Sequence, residues 1–575
     1  MNGNKTTATS SEERRMQRGI SVLAFFVPAF IMLVLFIIRG IYPFGDRSFL
    51  FSDMYHQYMP FLSEFVHKIK AGEGLFYSYN VGIGSNFLAL YVYYLASPFN
   101  WLVFLLPEGL IMEFMSYLVI LRIGLMGLTF SIYLRKVFGK EDPAALLFST
   151  AYALSGYLAA YNWNVMWLDC LILLPLILLG AERLVREGKW VMYTVTLGLC
   201  ILTNYYISIM ICIFLVLYFG MLLITEYYTM TEGQSRKARI VFGRIGRFAF
   251  ASLLAGGLAA ALLIPEVCAI LRTDFGNSDF PGTLESYFSV FDMLARHCLC
   301  VTTERGLEHW PNIYCGVAVF LLVPMYALNE KISVRKRFCN LALAGFLLLS
   351  FGTNVLDFLW HGLNYPDSLP ARQSFLYIFL ILVMCYDAFR NVEGTSPRQI
   401  IYGYLAAVIF LLACEKFVES EDFDTGIEVL TLVFVTIYGV LLYLYRTRKD
   451  ELTRQVLGIL VLACIVAELS INTFNTSLGT TGRSAYLGDQ EDYKALYALT
   501  QEQEGDDFFR IEKFTRKTKN DGTLTGYPTA SVFSSTMNSN VMDLYKMLGM
   551  RHSKVYYGFD GATAFVSALL NVDYM

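Results

Sequence analysis

The chain has 575 residues, 56% of them apolar and only 16% charged, a balance too greasy for a soluble globular protein. It reads as an α-helical polytopic membrane protein, with the lipid bilayer as its first partner. A formal net charge of −3 carries no polyanion-binding signature, which excludes nucleic acid as a partner.

Residues 1–18 form a polar, cytoplasmic N-terminal tail carrying Arg14, Arg15 and Arg18, and an apolar run from Gly19 to Ile38 follows. That run is long for a signal h-region and has no small-residue cleavage site, so it is expected to be a retained span with the tail inside. Residues 40–112 then form an outer first loop. Its opening stretch, SFLFSDMYHQYMPFLSEF, packs Asp53, His56, Gln57 and Glu64 where lipid cannot hold them. On a helix, Asp53 and His56 stand three apart on one face, the arrangement an acid/base or nucleophile-activating site needs. An interfacial amphipathic helix with solvated charges is the alternative. Asn86 to Leu106 is also apolar, but counting it as a span would invert every basic loop. It is expected to be re-entrant or interfacial, broken near Ser97-Pro98.

Further spans are expected near 113–134, 143–161, 166–184, 190–204, 207–227, 248–270, 311–329, 338–356, 373–389, 399–415, 427–445 and 455–473, about thirteen in all, within a transmembrane unit over 19–473. The loops this count puts inside carry the basic residues, among them Arg135 and Lys136, Lys331 to Arg337, and Arg446 to Arg454. Ionisable residues are expected at outer span ends rather than near span centres. Eight cysteines sit in or beside apolar runs as small core hydrophobes, and Cys298-x-Cys300 lacks further ligands at zinc spacing.

The outer loops hold the chemically pointed residues. Asp169 lies at a span edge in NWNVMWLDC, where an ionised group demands a loop position or a function. Asn204-Tyr205-Tyr206 interrupts an apolar stretch, as a substrate contact or as a plain turn. His361 and Arg372 bracket the proline-fixed loop HGLNYPDSLPAR. Arg372 suits a phosphate clamp, because guanidinium offers a planar fork and stays charged when desolvated; an interfacial snorkel is the alternative. Arg272 is a second candidate for the clamp. Asp53, His56 and Asp169 could ligate a divalent metal, which an Arg clamp would make unnecessary, so no metal site or cofactor is assigned.

Beyond residue 473 the composition is mixed, with strand-like FFRIEKF, turn-like Asn520 to Gly522 and Gly526 to Pro528, and helix-like VMDLYKML. Residues 474–575 are expected to form an extracytoplasmic α/β domain, free of any soluble catalytic fingerprint. The chain stops in the apolar run AFVSALLNVDYM, which suggests an incomplete domain or a buried end.

Four blocks, DMYHQYMPFLSEF, GEGLFYSYNVGIGSNFLALYVYYLASPFN, NWNVMWLDCLILLPLILLGAERL and HGLNYPDSLPARQSFLY, resemble the bacterial YfhO family of membrane proteins over most of residues 40–380. That family is placed with the GT-C glycosyltransferases. The resemblance implies a GT-C-like bundle, a polyprenyl-phosphate-linked sugar as donor, and transfer on the outer face to a teichoic-acid-like cell-envelope polymer. The first-loop acid of such enzymes corresponds here to Asp53. Family members usually continue past the point where this chain stops.

The chemistry fits the residues independently. Asp53 would take the acceptor proton, with His56 and Asp169 as catalytic partners, and Arg372, aided by Arg272, would stabilise the phosphate leaving group. Gln57, Asn204, Tyr205, Tyr206 and His361 complete the expected substrate contacts, and the aromatic segment Phe87 to Trp101 could line an isoprenoid groove or form a membrane-interface belt. The rival reading is a lipid or polysaccharide transporter or flippase, which should show ionisable residues near span centres and an internal repeat. A non-catalytic scaffold would leave Asp53 and Arg372 without a shared task.

Overall fold

The computed structural model describes residues 3–139, 142–233, 235–274, 279–366, 368–421 and 423–575, with side chains from residue 19 onward. The architecture is a helical bundle, and its apolar runs become helices because a backbone in lipid must satisfy its own hydrogen bonds. Each expected span holds a helix or part of one. Among the described residues, however, eight helices are long and apolar enough to cross a membrane, or nine if the bent pair Phe87–Leu95 and Pro98–Leu105 is one span.

The count of about thirteen is therefore not reached on length and composition. Val191–Thr203 and Val319–Leu328 are too short, Ser374–Arg390 has 17 residues, and Val334–Gly352 opens on Arg335, Lys336 and Arg337. Leu168–Glu187 carries Asp169 in its first turn and ends among Glu182, Arg183 and Arg186. The bent pair turns by 97° at the expected Ser97-Pro98 break, where the Ser97 hydroxyl accepts from Phe99 N.

Ala144–Tyr161 is wholly buried and sits inside the bundle, whereas Lys237–Ile270 lies at its edge, mostly exposed. The latter's buried stripe of Ala251, Ala255 and Ala259 faces Val191–Thr203, where a Cβ on Gly198 would meet Ala255 O at 3.2 Å. Small residues let the two backbones approach, the usual way membrane helices pack.

Charges do not keep to the outer ends, contrary to expectation. Arg122, midway along Ile111–Phe138, is fully buried and bonds Asp169 through Nε at 2.8 Å and the Ser97 hydroxyl through Nη2 at 2.9 Å. Glu468, inside Glu451–Thr476, accepts from Tyr314 OH, Tyr438 OH and Val317 N at 2.8, 2.6 and 2.6 Å. Neighbouring helices supply the partners, so each buried charge is bonded rather than left to the lipid.

Beyond Thr476 the chain folds into short helices and strands. Val532–Phe533, Tyr556–Tyr557 and His552–Ser553 form an antiparallel sheet, and Arg510–Ile511, within FFRIEKF, pairs parallel with Val572–Tyr574. VMDLYKML lies mainly within the helix Ser539–Met547. The expected turn at Asn520 to Gly522 instead opens the helix Asp521–Thr525, because the Asp521 carboxylate collects Lys517 N, Thr518 N and the Thr518 hydroxyl and fixes the entry. Gly526, at φ +90°, ends it.

This C-terminal segment docks on the first loop. Arg47–Ser48 pairs with Thr481–Gly482, and the Ser63 hydroxyl, Thr523 hydroxyl and Tyr486 hydroxyl donate to Leu524 O, Asn80 O and Tyr55 O at 2.9, 2.6 and 3.0 Å.

Candidate functional site

The stretch around Asp53 does not form a plain α-helix. Ser52 takes a left-handed φ of +49°, and Met54–Tyr58 makes a π-helical turn, with Met59 N bonded five residues back to Met54 O, before the α-helix Met59–Lys70 begins. The widened turn places the residue four ahead, rather than three, above a given side chain. Asp53 and Gln57 consequently both line a cavity of about 400 Å³, whereas His56 does not. The His56 ring packs against Tyr55 and Phe533, with centroids at 4.8 and 6.4 Å, and its carbonyl accepts from Asn520 Nδ2 at 2.7 Å. Burial, aided by Lys519, holds the His56 pKa below its ordinary value.

Tyr58, Tyr93 and Tyr94 form one wall of the cavity and Trp167 another. The roof comes from the C-terminal segment through Phe533, Ser535, Thr536 and Val555, with Ser535 N bonded to Tyr94 OH at 2.8 Å. Asn204 lies behind the wall: its Oδ1 accepts from Ile207 N at 2.9 Å and caps Tyr205–Thr225, so that the first two residues of that helix, Tyr205 and Tyr206, reach the cavity.

Arg372 and His361 enter from the loop between Asn354–Trp360 and Ser374–Arg390. Arg372 is held on three sides, donating from Nε to Leu369 O at 3.0 Å, from Nη2 to Ser368 O at 2.9 Å and from Nη1 to Tyr206 OH at 2.9 Å. Its guanidinium carbon lies over the Trp167 and Tyr206 rings at 5.4 and 5.1 Å. Leu363, Leu369 and Ala371 adopt left-handed φ values of +64°, +59° and +49°. Side-chain-bearing residues take that conformation only where surrounding structure enforces it, and such strain clusters at functional sites. His361 is buried, with Nδ1 2.8 Å from Asp357 O and 3.0 Å from Asp357 Oδ1.

Burial raises the Asp53 pKa to about 6, and Lys519 and Arg372 pull it back only in part. A carboxylate poised there is ionised at neutral pH yet basic enough to take a proton.

Besides His56 and Asn204, two more expected site residues stand off the cavity. Asp169, whose buried ion pair with Arg122 fixes the bend at Ser97, does not line the cavity. Arg272 is exposed, and its carbonyl accepts from Ser539 N and the Ser539 hydroxyl at 2.9 and 3.0 Å. Asp53, His56 and Asp169 are thus not assembled as a ligand set, and no group of three or more His, Cys, Asp or Glu suited to a metal occurs among the described residues.

Sequence reasoning missed Glu266, a fully buried acid lining the cavity, although a lone Glu in LAAALLIPEVCAI was a signal in plain view. It gave Phe87 to Trp101 as an isoprenoid groove or a membrane-interface belt, and Tyr93 and Tyr94 from that segment line the cavity. The roof left no local signal.

Residues 24–575 match the sequence profile of a family described as "Bacterial membrane protein YfhO". A curated relative, the uncharacterized protein YfhO of Bacillus subtilis (strain 168), is 21% identical over 498 residues, covering 82% of this chain and 54% of the relative. The chain therefore spans about half the length of that relative. Among solved structures, ArnT from Cupriavidus metallidurans bound to undecaprenyl phosphate aligns over 89% of this chain and 84% of its own, at 13% identity and a TM-score of 0.36.

Proposed function

The chain belongs to the YfhO family of bacterial membrane proteins, and from that premise we propose that it is a GT-C type glycosyltransferase moving a sugar from a polyprenyl-phosphate donor to a cell-envelope polymer of the teichoic-acid kind. The observation that carries the reading is the convergence of Asp53 and Arg372 on one cavity walled by aromatic side chains.

In this reading an acceptor hydroxyl attacks the anomeric carbon of the donor sugar. Its proton passes to the Asp53 carboxylate as the new carbon–oxygen bond forms. The bond from the anomeric carbon to the phosphate oxygen breaks, and the polyprenyl phosphate leaves with the electron pair. Arg372 stabilises that leaving group: guanidinium has five N–H donors, three are used by Leu369, Ser368 and Tyr206, and one remains on each terminal nitrogen. Gln57 and Tyr206 position the reactants, and the reaction as written needs no metal. The cavity and the segment 474–575 face outward, where lipid-linked donors and envelope polymers meet.

Two experiments together test the proposal: mass analysis of envelope polymers from cells lacking the protein, and transfer from polyprenyl-phosphate sugars by the purified chain in proteoliposomes. A missing sugar in the first and turnover in the second are expected. Unchanged polymers together with no turnover on any donor would overturn it.

A further inference from the structure

Glu266 has no task in the reaction above. It follows Pro265 near the outer end of Lys237–Ile270, is fully buried, and lines the same cavity as Asp53 and Arg372. Its Oε1 accepts from Tyr205 OH at 3.1 Å, which fixes the carboxylate's orientation, while Oε2 has no partner among the described residues. His361 presents a similar group. Its Nδ1 faces two oxygens of Asp357, so the tautomer that satisfies them puts the proton there, and the buried Nε2, with no partner among the described residues, is the acceptor of that tautomer.

Buried acceptors left unmatched cost free energy, and a ligand that supplies donors recovers it. The cavity thus offers two acceptors and, at Arg372, a cation. The complementary ligand carries hydroxyl donors at one end and an anion at the other, which is the outline of a sugar phosphate.

We propose that Glu266 is a specificity-determining residue of the donor site: with His361 it accepts hydrogen bonds from hydroxyls of the transferred sugar, while Arg372 holds the phosphate. This rests on the donor reading above and divides the cavity into a sugar end and a phosphate end. Tyr205 belongs to the sugar end, because it holds the Glu266 carboxylate, and Tyr206 belongs to the phosphate end, because it holds Arg372.

The test measures binding of two probe classes to the full chain in nanodiscs: sugar-free polyprenyl phosphate, and polyprenyl phosphate bearing a panel of hexoses, 2-acetamidohexoses and their monodeoxy analogues. E266Q keeps the shape but replaces a charge-assisted acceptor, and E266L removes the acceptor altogether. Both variants are expected to bind the preferred sugar-bearing probe about tenfold more weakly and the sugar-free probe within about twofold of the parent. One monodeoxy analogue should bind parent and E266Q alike, because the hydroxyl that Glu266 reads is gone.

Retained binding of the sugar-free probe certifies the fold, and E266Q carries the test alone if E266L does not fold. Equal losses on both probes, or no loss on either, would overturn the assignment of Glu266. A parent that binds sugar-free polyprenyl phosphate without any preference for a sugar-bearing form would overturn the sugar end while leaving the phosphate end standing. A parent that binds neither probe would overturn the donor reading and this inference with it.

Discussion

Replacing Asp53 by Asn is expected to make the protein more stable while removing its activity. Burial lifts the carboxyl from 3.8 to about 6, so above pH 6 the folded chain holds an ionised group in a site that favours the neutral one. That rise is worth at most about 3 kcal/mol, and about 1–2 kcal/mol once water reaching the half-buried group is allowed for. Below pH 3.8 folded and unfolded chains are both protonated and the cost is absent. It grows between 3.8 and 6 and is constant above 6. Asn carries no such cost. Asp53→Asn should therefore gain about 1–2 kcal/mol at pH 7.5 and roughly a fifth of that at pH 4, measured by SDS unfolding in mixed micelles. Sugar transfer by the same preparation should fall roughly 10²–10⁴-fold, the loss typical of a positioned acid/base group. In the parent, kcat should drop about tenfold per pH unit below 6 as the base is protonated. A variant that is less stable at pH 7.5, that gains equally at both pH values, or that keeps its kcat would refute the reasoning.

Three further outcomes are expected. Arg372→Lys should raise the KM for lipid-linked donor about 10- to 100-fold, because one ammonium cannot bond Leu369, Ser368 and Tyr206 and also grip two phosphate oxygens; a lysine variant with parental donor saturation sinks the clamp. Asp169→Asn should lower stability by about 3–5 kcal/mol by leaving Arg122 buried and unpaired, and replacing both partners by apolar residues should recover much of the loss; a stable Asp169→Asn that loses only kcat would return Asp169 to the catalytic site. Lys519→Ala should move the acid limb of the rate profile to higher pH, since Lys519 helps hold the Asp53 pKa down; an unmoved limb would mean that the lysine does not act on the base.

What the sequence made legible is what local pattern controls. Apolar runs became helices because lipid leaves the backbone no other choice, and the break at Ser97-Pro98 followed from proline's missing N–H. Asp53, Gln57, Tyr205, Tyr206, His361 and Arg372 do meet at one cavity. What stayed hidden depends on partners distant in the chain. The ion pair of Asp169 was hidden because its partner, Arg122, stands 47 positions away inside an apolar run. His56 looked like a companion of Asp53 because α-helical spacing was assumed, and only packing reveals the π turn. Glu266 was visible as a residue but not as a wall of the site, since its neighbours come from several helices.

The roof has a consequence for the order of events during synthesis. Tyr94 and Ser535 lie 441 positions apart, so the bundle can be threaded into the bilayer long before Phe533 to Thr536 leave the ribosome. Until they arrive the cavity that Asp53 lines has no roof, and water reaching the carboxylate would lower the pKa that burial raises. On the proposed function, a chain clipped before the segment around Ser535 would keep its apolar helices, lack the roof over Asp53 and be inactive in sugar transfer.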